Sequence, residues 1–280
     1  FWGVSDIDNE SDRYVVPDLI DELSSPGSGV GTAVVMPDGG IRARLYDTSM
    51  YSKDIFQVQV CGDSISYYFS AKADRSIPLA FTSGMRQELG SLTACVIGVS
   101  GTGSIVSEQV ARLGFGRVVI IDPDRIEPKN LNRILNSRTE DALSSALKTT
   151  RTKEAILSYR EDATVIDLPL SIEEREAVLA AASADVIFCC VDTAAGRQMC
   201  DLIANAFVIP LFDVGVTIPT ARGESGEAEI ADVVGRISYI QPGASSLEDR
   251  GVYNQRLLRA EELAQTDPEG FERELAEGYI

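Results

Sequence analysis

From Thr93 onward the chain alternates short apolar runs with longer segments whose apolar residues recur at helical spacing. The first pattern is that of buried strands and the second that of one-faced helices. The run Ala94-Cys95-Val96-Ile97 predicts a strand. Residues 104–113 predict a helix with Val106, Val110 and Leu113 on one face, stopping at Gly114. A second strand is expected over 117–121, a long helix over 142–159 and a third strand over 164–168. A helix through Ala182 follows, opened by a capping box between Ser171 and Glu174. A strand over 185–191, a helix over 195–206 and a strand over 208–214 continue the alternation. This order implies the α/β class: a Rossmann-like, doubly wound, mostly parallel sheet with helices on both faces. After Val214 Gly-rich turns and strands over 229–234 and 236–241 take over, and a polar helix is expected over 255–277.

The first 72 residues follow another rhythm. Residues 6–12 are acidic and polar, a short helix is expected over 16–23, and Ser24-Ser25-Pro26-Gly27 ends it. Two hairpins are then predicted. Segments 32–36 and 41–46 flank Pro37-Asp38-Gly39-Gly40, and segments 56–60 and 64–69 flank Cys61-Gly62-Asp63. Residues 71–83 read as a linker and 84–92 as a helix. The expected organisation is a small α+β domain over 1–72, a linker and helix over 73–92, and the larger domain over 93–280.

Composition narrows the function. With 44% hydrophobic residues, 280 residues suffice for one large domain or two modest ones. No apolar run approaches the roughly 18 residues that suggest a membrane span, and no signal-peptide pattern is visible. A net charge of −18 argues against nucleic acid or an anionic membrane as the main partner, since phosphate binding there needs clustered Lys and Arg. Five cysteines without a C-x-x-C pair exclude a zinc-ribbon spacing and disfavour a disulfide framework, so the expected compartment is the cytoplasm. Histidine is absent from the sequence, so neither a triad nor a His-ligated metal site can be built from these residues.

Gly98-Val99-Ser100-Gly101-Thr102-Gly103 lies between the first strand of the larger domain and its helix. Glycines there let the backbone approach phosphates, and the helix N-terminus offers unpaired N–H donors. The loop alone fits a nicotinamide or flavin site, or a tight turn without a ligand. The next strand ends in Asp122-Pro123-Asp124-Arg125-Ile126-Glu127-Pro128-Lys129-Asn130-Leu131-Asn132-Arg133. A dehydrogenase needs one acid there for ribose, but not a second acid followed by Asn and Arg.

That stretch resembles the ThiF/MoeB and ubiquitin-activating enzyme superfamily, whose pattern is roughly D-x-D-x-V-E-x-S-N-L-x-R. With the glycine loop, the resemblance covers about 93–216. It implies that Gly98, Gly101 and Gly103 cradle ATP, that Asp122 binds the ribose, and that Asn130 and Arg133 contact the triphosphate. Ser100 stands where the family often has a third glycine. The family's phosphate lysine at the start of the next helix corresponds to Lys148, with Lys153 as the competitor; a solvated helix lysine is the plain alternative for either. Asp192, ending the strand over 185–191 and followed by Arg197, resembles the acid that holds ATP-bound Mg²⁺; a helix N-cap is its structural alternative.

The resemblance implies adenylation of a carboxylate, that of a ubiquitin-like protein ending in Gly, with Arg133, Lys148 and Asp192 serving the reaction. It also implies a homodimer in which a partner-subunit arginine completes the site, and a conjugating-enzyme-like protein downstream. Many relatives pass the acyl group to a cysteine. Here Cys95, Cys189 and Cys190 fall within apolar strands, Cys200 on a helix beside Met199 and Ile203, and Cys61 in a hairpin turn. None lies in the loop after the fifth strand. Either the reaction stops at the adenylate, or the cysteine lies in a segment outside these residues.

Near the start, Ser5-Asp6-Ile7-Asp8 looks like the tail of a JAMM-type deubiquitinase-like domain, in which H-x-H-P precedes S-x-x-D and Asp8 would be the third zinc ligand. Without the His pair these residues form no zinc site, and a polar acidic loop explains them equally well. The resemblance implies a degenerate or truncated domain of the kind that some bacterial relatives pair with ubiquitin-like proteins, in systems including phage defence. Other functions stay open. These are adenylation of a sulfur-carrier protein or small carboxylate, a nucleotide-dependent oxidoreductase, and a non-catalytic scaffold.

Overall fold

A computed structural model describes residues 6–23, 29–36, 39–55, 57–61, 65–69, 83–222 and 228–278. The chain divides into two units, Phe1–Ile77 and Pro78–Ile280.

The first unit opens with α1 (Asp6–Leu23), which begins ten residues before the helix expected from the sequence and runs through Pro17. Contacts to strands account for the extension. Val16 and Ile20 are buried with Val30 and Tyr46. Earlier in the helix, Asp12 accepts hydrogen bonds from Thr32 Oγ1 at 3.2 Å and Tyr46 Oη at 2.7 Å. Asn9 accepts one from Arg44 at 2.6 Å. These outweigh the N–H that Pro17 lacks. Strands β1 (Val30–Val35), β2 (Ile41–Tyr46) and β3 (Ser52–Asp54) form one antiparallel sheet. β4 (Gln57–Cys61) and β5 (Ile65–Phe69) pair separately. The two predicted hairpins thus belong to separate sheets, and β3, which joins the first, is polar and exposed throughout and carries no alternation that would reveal it. Ser5, turn residues 37–38 and 62–64, and most of the expected linker lie outside the described residues.

The second unit begins with α2 (Ser83–Leu89), β6 (Thr93–Ile97), α3 (Gly101–Leu113) and β7 (Arg117–Ile121). It continues through α4 (Thr139–Leu143), α5 (Lys148–Leu157), β8 (Thr164–Leu168), α6 (Arg175–Ala182), β9 (Val186–Cys189), α7 (Ala194–Phe207) and β10 (Leu211–Thr217). Short strands β11 (Thr220–Arg222) and β12 (Ala228–Ile230) pair with each other; β13 (Val234–Ile240), α8 (Gln255–Thr266) and α9 (Pro268–Glu277) follow. The six-stranded sheet has the order β13-β10-β9-β6-β7-β8, parallel except for β13. One face buries Ile97, Ile121, Ile187 and Leu211 against α6 and α7 residues. The other buries Val96, Val118 and Ile120 with α3 and α5 residues. This is the Rossmann-like doubly wound arrangement.

Three expected elements differ. The helix over 142–159 is two helices. Between them Ser145 takes φ 51°, and the N–H groups of Ile126 and Lys148 donate to Ala146 O and Asp124 O, drawing the break onto the segment after β7. The helix over 255–277 is also two, because Pro268 has no N–H to donate and Asp267 instead caps α9 by accepting from Gly270 N at 3.0 Å. Ser171 N does donate to Glu174 at 2.9 Å, but across a turn, and α6 starts only at Arg175. Among the described residues no helix is long and apolar enough to cross a membrane.

Candidate active site

In the sheet order, the chain reverses direction between β6 and β9, and the segments following the parallel strands meet where ligands bind in doubly wound sheets. There an open cleft of about 1560 Å³ brings together Gly98, Gly101, Asp122, Asn130, Arg133, Lys148 and Asp192.

The glycine loop is shaped by close backbone contacts. Gly98 has φ +83°, and a Cβ there would stand 2.9 Å from Cys190 O. At Gly103 a Cβ would fall 1.7 Å from Gly98 O, so only hydrogen lets the first turn of α3 rest on the loop. Gly103 therefore acts behind the cleft rather than on its lining. The helix begins at Gly101, three residues before its expected start, and has no side-chain cap.

Asp122 is 5% exposed, just past β7. Its Oδ2 accepts from Val99 N at 2.7 Å and its Oδ1 from Asp124 N at 2.9 Å, so it braces the glycine loop against its own strand end. Burial raises its pKa above the usual carboxylate value, opposed by the charge of Lys148 and by the two N–H bonds. Lys148, the first residue of α5, lies 2.6 Å from Asp124 Oδ2 and 3.7 Å from Asp122 Oδ1. Lys153 is elsewhere: its Nζ pairs with Asp167 of β8 at 2.7 Å, and it does not line the cleft.

Asn130 is buried in a 3₁₀ turn, where its Oδ1 accepts from Glu127 N at 2.9 Å. The residue lies on the cleft lining. The stem of Arg133 covers Gly101, with Cβ, Cγ and Cδ 3.3–3.4 Å from where a Cβ would stand, while its Nη1 donates to Lys129 O at 3.0 Å. Ser104 Oγ, accepting from Leu135 N at 3.0 Å, ties this segment to α3.

Asp192 is exposed between β9 and α7, and its carboxylate has no protein partner among the described residues. It is not the N-cap of α7; Thr193 is, accepting from Gly196 N at 3.2 Å. Arg197 holds the loop, donating to Val191 O at 2.9 Å and to Asp213 Oδ1 at 3.2 Å. Asp213, fully buried on β10, takes Arg236 at 2.8 Å on its other oxygen. An exposed, unpartnered carboxylate is a donor suited to Mg²⁺, a hard cation held by one or two carboxylates together with substrate phosphates.

Sequence reasoning missed the pairing of Asp124 with Lys148, the Asp213 anchor, and Glu261 of α8, which accepts from Ala194 N at 2.6 Å and Ala195 N at 3.0 Å. The repeated acid in Asp122-Pro123-Asp124 was a signal for the first. Nothing local marked Glu261. The buried positions of Cys95, Cys189 and Cys200 agree with a packing role; burial raises the thiol pKa of Cys95 and Cys190, and a bond with Cys189 raises that of Cys200.

The sequence profile of the ThiF family matches residues 73–239. Ubiquitin-like modifier-activating enzyme 5 of Bombyx mori is 26% identical over 168 residues, covering 57% of this chain and 40% of the relative. The enzyme of the same name from Caenorhabditis elegans is 26% identical over 165 residues, covering 55% and 36%. The chain thus spans well under half the length of these relatives. A crystal structure of E. coli MccB with AMPCPP and selenomethionine MccA superposes with a TM-score of 0.50 at 19% identity, covering 65% of this chain and 50% of the other, a likeness of fold.

Proposed function

The chain belongs to the ThiF family, and we propose that its second unit binds MgATP and adenylates the C-terminal carboxylate of a ubiquitin-like protein ending in Gly. The observation that carries this reading is one cleft holding an uncapped helix N-terminus at the glycine loop, the Lys148 ammonium and the unpartnered Asp192 carboxylate. Such a set suits a polyphosphate and its cation.

In the proposed reaction an oxygen of the acyl carboxylate attacks the α-phosphorus of ATP. The bond to the bridging oxygen breaks, pyrophosphate departs and an acyl-adenylate remains. The attacking carboxylate is already ionised, so no general base is needed, which suits a chain without histidine. The N–H groups at the start of α3 and the glycine loop seat the phosphates. Lys148 and Arg133 offset their charge, Asn130 lines the seat beside them, and Asp122 lies at the strand end where the ribose is expected. Asp192 would hold Mg²⁺, which when bound neutralises charge on the phosphates.

The thiols of Cys95, Cys189, Cys190 and Cys200 are not the acyl acceptors in this reading, since three are buried and none stands in the loop after β10. A conjugating-enzyme-like protein receives the product downstream, in the cytoplasm. A second copy of the chain covers the outer side of β10 and β13. There the cross-strand pairs Phe212–Tyr239 and Val214–Ile237 share the face opposite the buried Leu211–Ile240 pair, and Ile237 is 74% exposed. That apolar face supports a homodimer.

The reading is tested by ATP–pyrophosphate exchange with and without candidate ubiquitin-like proteins, in wild type and Asp192→Ala. Exchange that needs both the partner and Asp192 supports it. MgATP binding without exchange for any partner favours the scaffold instead.

A further inference from the structure

The N-termini of α3 and α7 both open on the cleft, and they are treated differently. That of α3 has no side-chain cap. In the first turn of α7 three N–H donors are taken: Thr193 Oγ1 accepts from Gly196 N, and the Glu261 carboxylate accepts from Ala194 N at 2.6 Å and Ala195 N at 3.0 Å. Glu261 comes from α8, which lies beyond the residues matched by the family profile and packs against α7.

The consequence falls on Asp192. It immediately precedes the cap residue Thr193, and an acid beside the start of a helix is drawn to the unpaired N–H groups and positive end of that helix. If the Ala194 and Ala195 donors were open, the Asp192 carboxylate would satisfy them and turn away from the cleft. In the structure the Glu261 carboxylate holds them. We propose that Glu261 is a positioning residue: by occupying the N-terminus of α7 it leaves the Asp192 carboxylate free to meet a cation. The same occupation neutralises the α7 end of the cleft, so of these two N-termini it is that of α3 that stays open to phosphates. This rests on the reading of Asp192 as the acid that faces Mg²⁺.

The test is nucleotide binding by the whole chain as a function of Mg²⁺ concentration, followed with a fluorescent ATP analogue. It needs neither acyl substrate nor turnover. Glu261→Ala is expected to raise the Mg²⁺ concentration for half-maximal binding by about ten-fold, the scale on which supporting residues tune metal affinity. Glu261→Gln, whose side-chain oxygen still accepts one N–H, is expected to fall between wild type and Glu261→Ala, and it serves as the variant if the alanine form does not fold. In an Asp192→Asn background, Glu261→Ala is expected to add nothing, since its effect passes through the Asp192 carboxylate. Unchanged Mg²⁺ dependence in both Glu261 variants, or an equal further loss in the Asp192→Asn background, would overturn the inference alone. Wild-type binding with no Mg²⁺ dependence would overturn the reading of Asp192 and the inference together.

Discussion

The Lys148 ammonium lies 2.6 Å from the Asp124 carboxylate and 3.7 Å from that of Asp122, with Lys148 and Asp122 side chains each 6% exposed. One buried cation therefore joins the start of α5 to the end of β7, and Asp122 in turn holds the glycine loop through Val99 N. In the proposed reading, nucleotide seat and fold share these groups. Removing the lysine should disturb both.

Lys148→Met is expected to lower ATP–pyrophosphate exchange by about a hundred-fold or more, the scale of losing one charge-stabilising group. Lys153→Met, which loses only the partly exposed pair with Asp167, is expected to keep exchange near wild type. Comparable losses in the two variants would sink the assignment of the phosphate lysine.

A pH dependence follows from Asp122. Its folded-state pKa is raised by burial, so its ionisation as pH climbs from the unfolded value through the folded one costs stability. Lys148 opposes that rise. In Lys148→Met the folded pKa climbs further, and the stability deficit relative to wild type should be larger at pH 7.5 than near pH 4, by about 1.4 kcal/mol for every tenfold weakening of the carboxyl's acidity. Urea melts at the two pH values check this; an equal deficit at both would contradict it.

Asp192→Asn is expected to leave thermal stability within about 0.5 kcal/mol of wild type, because the side chain is exposed and unpartnered. Pyrophosphate exchange should nevertheless collapse. A variant that melts normally and exchanges normally would remove Asp192 from the site.

Gly103→Ala places a methyl carbon 1.7 Å from Gly98 O, backbone that cannot yield as a side chain does. The expected cost is about 1–3 kcal/mol in chemical denaturation, together with weakened nucleotide binding as α3 is pushed off the loop. Wild-type stability would show that the loop relaxes.

Ile237→Glu puts a charge on the apolar outer face of β13 without touching the core side of the sheet. Sedimentation should shift from dimer to monomer. A wild-type chain that is already monomeric would exclude this face as a self-interface.

The core of the second unit was legible because β6 and β7 are apolar from their second residue to their end. Ala94 to Ile97 and Val118 to Ile121 are buried on both sides of the sheet, which leaves an uninterrupted run in the sequence. Boundaries were less legible where a distant contact set them. The early start of α1 depends on Asp12 meeting Thr32 and Tyr46, and the break between α4 and α5 on Asp124 O accepting from Lys148 N. Neither partner lies within the window that periodicity samples.

By itself the sequence determined the α/β class, the glycine loop at the end of the first parallel strand, and the acids at two further strand ends. Each is a local property: a run of apolar side chains, a turn only glycine tolerates, a polar residue where an apolar run stops. The tertiary structure alone decided that Lys148 rather than Lys153 reaches the cleft, that Asp192 is left without a partner, and that Glu261, 67 residues beyond Ala194, caps the helix beside it. Those outcomes depend on which helix ends the folded sheet brings together, and charges from remote segments compete for the same few N–H groups only after packing has placed them there.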